Sequence, residues 1–189
     1  MIFKKSCLAS LLIGFGVAVL LTLNNPIGIL LFSFGLLGVC VLQADLYTGK
    51  AGYYWRSTEK LFELIVILFI NISTGVFIGT LLSAANPAIL PIAVEKVAAW
   101  EFSLAYFLRA MLCGSIMYIC VDLYKKQCPW GIFLGVPIFI FCGYQHSIAN
   151  AIIYGASLSN SLSFFAHLHI LFCAMGNLIG AMITDILNN

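Results

Sequence analysis

Charge is scarce in this chain. Only 8% of its 189 residues are Asp, Glu, Lys or Arg, against about 25% in an average soluble domain. Hydrophobic residues make up 62%. A soluble fold of this size cannot hide so much apolar surface from water. A bilayer removes the conflict, because lipid is an apolar solvent for the outside of the protein. The net charge is only +2, so nothing suggests a nucleic-acid partner. Metal-ligand spacing is also lacking among the seven cysteines, Cys7, Cys40, Cys113, Cys120, Cys128, Cys142 and Cys173. Most of them sit inside apolar runs, as free buried thiols do, and not in a disulfide framework. No cofactor and no catalytic constellation is expected. The length fits one domain, residues 1–189.

Long apolar runs are what the chain has. A spanning helix needs roughly 20 mostly apolar residues. The first run covers 7–23. It follows two lysines, as in a signal peptide, but further runs come after it, so it reads as a retained first membrane helix. The second, from Pro26 to Tyr54, is interrupted by Gln43, Asp45, Thr48, Gly49 and Lys50. The third covers 61–83 and precedes a loop with Asn86, Pro87, Pro91 and Lys96. The fourth covers 101–123. The fifth runs from Trp130 to Tyr154, with Gly143, Gln145, His146, Ser147 and Asn150 in its middle. The polar loop GASLSNSLS leads to the sixth, 168–187. The expected architecture is an all-α membrane protein with six transmembrane helices, the second and fifth broken. With the N-terminus inside, Lys4, Lys5, Arg56, Lys60, Lys125 and Lys126 fall on cytoplasmic ends, and only Lys96 lies outside. The positive-inside rule therefore puts both termini in the cytoplasm of a cell-membrane protein.

The two halves, 1–85 and 100–189, resemble each other. QADLYTGK at 43–50 aligns with GYQHSIAN at 143–150, and the same offset of 100 pairs Gly14 with Gly114. NISTG at 71–75 aligns with GNLIG at 176–180. Each half has three spans, so the halves enter the membrane from opposite sides, the 3+3 inverted-repeat plan of many transporters. Non-helical backbone at membrane depth survives only if packed in protein or lining a wet cavity. Two such interruptions point to one central pathway. Each following half-helix begins with a partial positive charge and free N–H groups, which favour an anion but also suit a polar neutral solute. Gly75, Gly79, Gly176 and Gly180 have the spacing of close helix contacts, within the chain or between subunits. Asp45 is expected to pair with N–H groups of its own loop, and Lys50 to reach for the cytoplasmic surface. Arg109, inside the fourth span, needs a partner. Asn86-Pro87-Ala88 occurs once, whereas an aquaporin needs two such motifs, and reads as chance.

At these residues the chain resembles the formate/nitrite transporter family. FSFGLLGVCVLQADLYTGK at 32–50 is similar to that family's broken second helix and its acidic-Leu-Phe-Thr-Gly loop. GYQHSIAN at 143–150 is similar to its Gly-aromatic-Glu-His-Ser-Val-Ala-Asn signature, and FLRAMLCG at 107–114 and MGNLIGAMI at 175–183 to its fourth- and sixth-helix motifs. The resemblance implies an aquaporin-like protomer, a homopentamer with a pore in each protomer, and small monovalent anions as substrates: formate, nitrite, hydrosulfide, acetate or lactate. It implies that Thr48, His146 and Asn150 line the pathway and that Lys96 is the lysine of the outer vestibule. It implies one hydrophobic constriction at Leu36, Leu46 and Tyr47 and another at Phe32 and Phe139. The chain departs from the family at Tyr47 (usually Phe), Gln145 (Glu), Lys50 (neutral) and Gly114 (Asn), and it is short for the family.

A charge at the bilayer centre costs from about 3 to more than 10 kcal/mol. Passage as the neutral acid avoids this, with a proton supplied or relayed by His146, since imidazole titrates near neutral pH. Two rivals stand beside the anion carrier. One is a channel for a neutral solute such as water or urea. The other is a haem-binding membrane subunit of an oxidoreductase, with His146 and either His167 or His169 as axial ligands.

Overall fold

The computed structural model describes residues 1–157 and 164–189; most of the GASLSNSLS loop, residues 158–163, lies outside them. The described residues are mostly helical, without a strand. The helices are α1 (Ile2–Leu23), α2 (Pro26–Val41), α3 (Tyr47–Tyr54), α4 (Thr58–Ala85), α5 (Leu90–Ala98), α6 (Leu104–Lys125), α7 (Trp130–Phe141), α8 (Ser147–Ala156) and α9 (Phe164–Asn188). Four of them, α1, α4, α6 and α9, are long and apolar enough to cross a membrane. The chain is a multi-pass membrane protein, and large apolar side chains, among them Phe34, Phe69, Phe77, Leu112 and Leu134, are exposed on its outside.

Apolar composition fixes where helices form, and local chemistry fixes where they stop. α2 starts on Asn25, whose Oδ1 accepts from the N–H groups of Ile27 and Gly28, with Pro26 at the first helical position. It ends in a Schellman motif. Ala44 N–H bonds Val39 O and Gln43 N–H bonds Cys40 O, with Gln43 left-handed at φ 50°. α7 ends the same way: Tyr144 N–H bonds Phe139 O, Gly143 N–H bonds Ile140 O, and Gly143 sits at φ 68°. The stretches 42–46 and 142–146 then run to the starts of α3 and α8.

The loop after the third run is not irregular. It contains a 3-10 turn, Pro87–Ile89, and α5, with Pro91 at its N-terminal end, where a missing N–H costs nothing. Asn86 donates to Thr22 Oγ1 at 3.2 Å.

The long helices pack where glycine removes the side chain. Gly180 lies against the Met111 carbonyl, Gly79 against Ile152, Gly155 against Val76 and Gly114 against Asn177, each too close for a Cβ. The spacing at Gly75, Gly79, Gly176 and Gly180 therefore serves contacts within the chain. Gly114 has no room for the asparagine usual at its place in the family. The bonds of the two halves also pair residues differently from the sequence alignment. Asp45 N–H bonds Lys5 O as Gln145 N–H bonds Arg109 O, and Asn71 Nδ2 bonds Ser6 O as Asn177 Nδ2 bonds Ala110 O. Gly114 thus corresponds to Ser10 rather than Gly14, and Asn71 to Asn177 rather than Gly176.

At one end of the bundle, buried Asp185 collects donors from three directions. Arg56 Nη2 lies at 2.7 Å, Trp55 Nε1 at 3.0 Å and the Tyr118 hydroxyl at 3.0 Å, which fastens the end of α3 to α6 and α9.

Candidate functional site

A helix that begins inside an apolar protein exposes N–H groups with no intrahelical acceptor. The sequence suggests that these face the pathway; the structure instead satisfies several of them with side chains. Asn71, in the middle of α4, accepts from Tyr47 N–H at 2.8 Å through Oδ1 and donates to the Ser6 and Asp45 carbonyls through Nδ2. Asn177, in α9, does the same for the other break. It accepts from Ser147 N–H at 3.0 Å and donates to Ala110 O and Gln145 O, each at 2.8 Å. Both asparagines are fully buried. Neither is among the site residues that the sequence suggests. An Asn deep in an apolar span demands partners, and that was the signal available.

The two breaks meet through Thr48 and His146. Thr48 Oγ1 and His146 Nε2 are 2.9 Å apart, although 98 residues separate them in the chain. Both residues are buried. Ala149 N–H donates to His146 Nδ1 at 3.1 Å, so the imidazole caps its own helix. A backbone N–H can only donate, so Nδ1 accepts. A neutral ring then carries its hydrogen on Nε2 and gives it to Thr48 Oγ1. Phe139 stacks on His146 with centroids 5.9 Å apart, and Phe32 meets Phe139 edge-on at 6.0 Å.

Two cavities share no lining residue, and His146 lines one of them. One, about 270 Å³, is lined by Phe32, Phe139, His146, Asn150, Lys96 and Arg109, with Glu101 among the rest. The other, about 340 Å³, is lined by Leu46, Gly49, Lys50, Tyr53, Tyr54 and Lys125, among others. Leu36, Tyr47 and Thr48 line neither cavity and are buried. Thr48 is bonded to a residue of the first cavity and is followed by Gly49 of the second. Asn150 Nδ2 donates to the Tyr106 hydroxyl at 2.8 Å and to Gln145 Oε1 at 3.0 Å.

Three expectations change. Asp45 pairs with Lys50 Nζ at 3.1 Å rather than with its own loop's N–H groups. Lys50 accordingly turns back to Asp45 and to the Tyr54 hydroxyl, at 2.7 Å, rather than extending to the surface. Arg109 is exposed on the wall of the Lys96 cavity, where water can solvate it. At Tyr47 the hydroxyl that a phenylalanine lacks reaches the Ala174 carbonyl at 2.9 Å, so its burial leaves no polar atom unpaired.

A sequence model described as formate/nitrite transporter matches residues 1–187. The chain belongs to the formate/nitrite transporter family. Solved structures share the fold of this transporter. An FNT family ion channel superposes with a TM-score of 0.83 at 20% identity, covering 99% of this chain and 88% of that one. A pentameric formate channel with formate bound superposes with a TM-score of 0.77 at 15% identity, covering 98% and 92%. No curated protein matches the chain. The family is one of membrane channels and transporters.

Proposed function

We propose that the protein moves small monovalent anions of weak acids, such as formate, nitrite or hydrosulfide, across the cell membrane, with a proton handled at His146. One observation carries the reading: Thr48 and His146 join at 2.9 Å, each at the start of a half-helix, between two cation-bearing cavities. On this reading α2 with α3, and α7 with α8, each make one discontinuous span. Together with α1, α4, α6 and α9 they give six spans in one domain, built as inverted repeats 1–85 and 100–189. Both termini lie in the cytoplasm. The Lys96 cavity then opens outward and the Lys50 cavity inward. The pentameric neighbour is the basis for proposing a homopentamer here.

Lys96 draws the anion to the outer cavity, and Asn150 and His146 line its way in. Phe32 and Phe139 form one apolar collar, and Leu36, Leu46 and Tyr47 the other. Moving a bare charge through them carries the desolvation cost given above. Protonation of the anion removes it. The ring exchanges its proton at Nε2 or Nδ1, and a proton at Nδ1 breaks the bond from Ala149 N–H. Passing that proton to the anion restores the bond, so this cap returns the ring to its neutral form after each transfer. Both His146 nitrogens and His169 Nε2 are engaged, the last with Glu101 O at 3.1 Å, so axial ligation of haem would first have to break those bonds.

The test is flux in proteoliposomes for formate, nitrite, hydrosulfide, acetate and lactate against pH. Formate or nitrite uptake should rise as pH falls, and His146→Asn should abolish it or make it pH-independent. Unchanged, pH-dependent flux in that variant would sink the proton role. Urea or water flux without anion flux would put the neutral-solute channel in its place, and a Soret band in the purified protein the haem subunit.

A further inference from the structure

The two breaks carry the same side-chain bridge in two chemistries. After α7, Gln145 Oε1 accepts from Asn150 Nδ2 at 3.0 Å, and the same nitrogen donates to the Tyr106 hydroxyl. After α2, Asp45 Oδ1 faces Lys50 Nζ at 3.1 Å, and the same nitrogen donates to the Tyr54 hydroxyl. Asp45 and Lys50 precede Gln145 and Asn150 by 100 residues. A neutral amide pair at one break is thus an ion pair at the other.

The surroundings of the ion pair give it a use. Asp45 is buried, whereas the Lys50 side chain keeps 25% of its exposure and lines the cavity at that mouth. An ammonium has three N–H donors. Asp45 and Tyr54 take two, which leaves one for a guest. Lys125 lines the same cavity, its Nζ 3.1 Å from the Tyr53 ring centroid. No acidic side chain lines it among the described residues.

We propose that Lys50 and Lys125 form a second anion-binding site in this cavity, and that Asp45, by sharing Lys50, keeps the site weak enough to release its anion. The proposal rests on the transport reading above and adds a residue pair that sets affinity on one side only. A conducting pathway needs sites that bind well enough to fill and poorly enough to empty. The Asp45 carboxylate offers Lys50 the same chemistry that formate would, and it is tethered in place. The guest therefore meets an ammonium already half-neutralised. Asp45 keeps its partner while the guest is bound, so no buried charge is stranded.

The experiment uses labelled formate in right-side-out and inside-out membrane vesicles, which present the two mouths separately. Lys50→Gln should raise the half-saturating formate concentration about tenfold from the Lys50 side and leave the other side within twofold. Asp45→Asn should lower it several-fold from the Lys50 side and slow the maximal rate, because release is delayed. The double variant D45Q/K50N copies the amide pair of the other break, so it retains a bridge known to fit this fold. It should assemble as wild type and behave as Lys50→Gln. Half-saturation that stays the same in all three variants overturns the site while leaving the transport reading intact. Wild-type vesicles that carry neither formate nor nitrite overturn both.

Discussion

Gln43 and Gly143 hold the same left-handed conformation at the two breaks, and only one of them is glycine. A side chain in that conformation costs roughly 1–2 kcal/mol. Gly143 has open space around the position a Cβ would occupy. Gly143→Ala should therefore lose about that amount through the backbone alone, and Gln43→Gly should gain a similar amount. Thermal unfolding in detergent reads both; equal melting points for the two variants and wild type would contradict the argument. Asn71 and Asn177 act at the same scale. Each accepts from a buried N–H at the start of a half-helix and donates to two backbone carbonyls. Leaving one such group unpaired costs about 1–3 kcal/mol. Asn177→Ala should destabilise by at least that much and lower flux, because Ser147 N–H, next to His146, loses its anchor. Asn177→Asp retains the acceptor but not the donor, and should recover less than half of the loss.

Helices α6 and α9 touch through backbone, with Gly180 on the Met111 carbonyl and Gly114 on that of Asn177. A branched side chain at Gly180 has to push the two helices apart, and that displaces Asn177 and the break it holds. Gly180→Val should reduce folded protein recovered in detergent severely. Gly143→Ala, by contrast, leaves helix spacing alone and should leave the yield of folded protein near wild type. Much at this scale was legible in the sequence. The apolar runs located every long helix, because twenty apolar residues have few other uses. The polar strings at 43–50 and 143–150 marked where α2 and α7 stop, because Asp45, Lys50 and His146 are too costly to leave facing lipid. Helix α5 was missed because its prolines read as loop, though proline suits a helix start. In sequence the halves align glycine on glycine, whereas the geometry they share is carried by Asn71 and Asn177. The partner of Asp45 could not be read at all. Whether a carboxylate meets a backbone N–H or an ammonium depends on where α3 carries Lys50 relative to Asp45.

At the scale of the whole molecule, each cavity carries two cations on its wall. The Lys96 cavity shows Lys96 and Arg109 against Glu101, and the Lys50 cavity shows Lys50 and Lys125. These charges act on an anion that approaches either cavity. A low-dielectric funnel with an excess of one sign of charge raises the local concentration of the opposite ion, and salt screens that effect, with a Debye length of about 10 Å at 0.1 M. Lys96→Gln should therefore cut formate uptake several-fold at low ionic strength, and the gap from wild type should narrow as an impermeant salt is added. Loss of Lys96 removes attraction at the mouth but leaves Thr48 and His146 in contact, so the pH profile of the remaining flux should keep its shape. A Lys96→Gln defect that persists undiminished in high salt would mean that the lysine acts by direct contact with the anion, and not through its field.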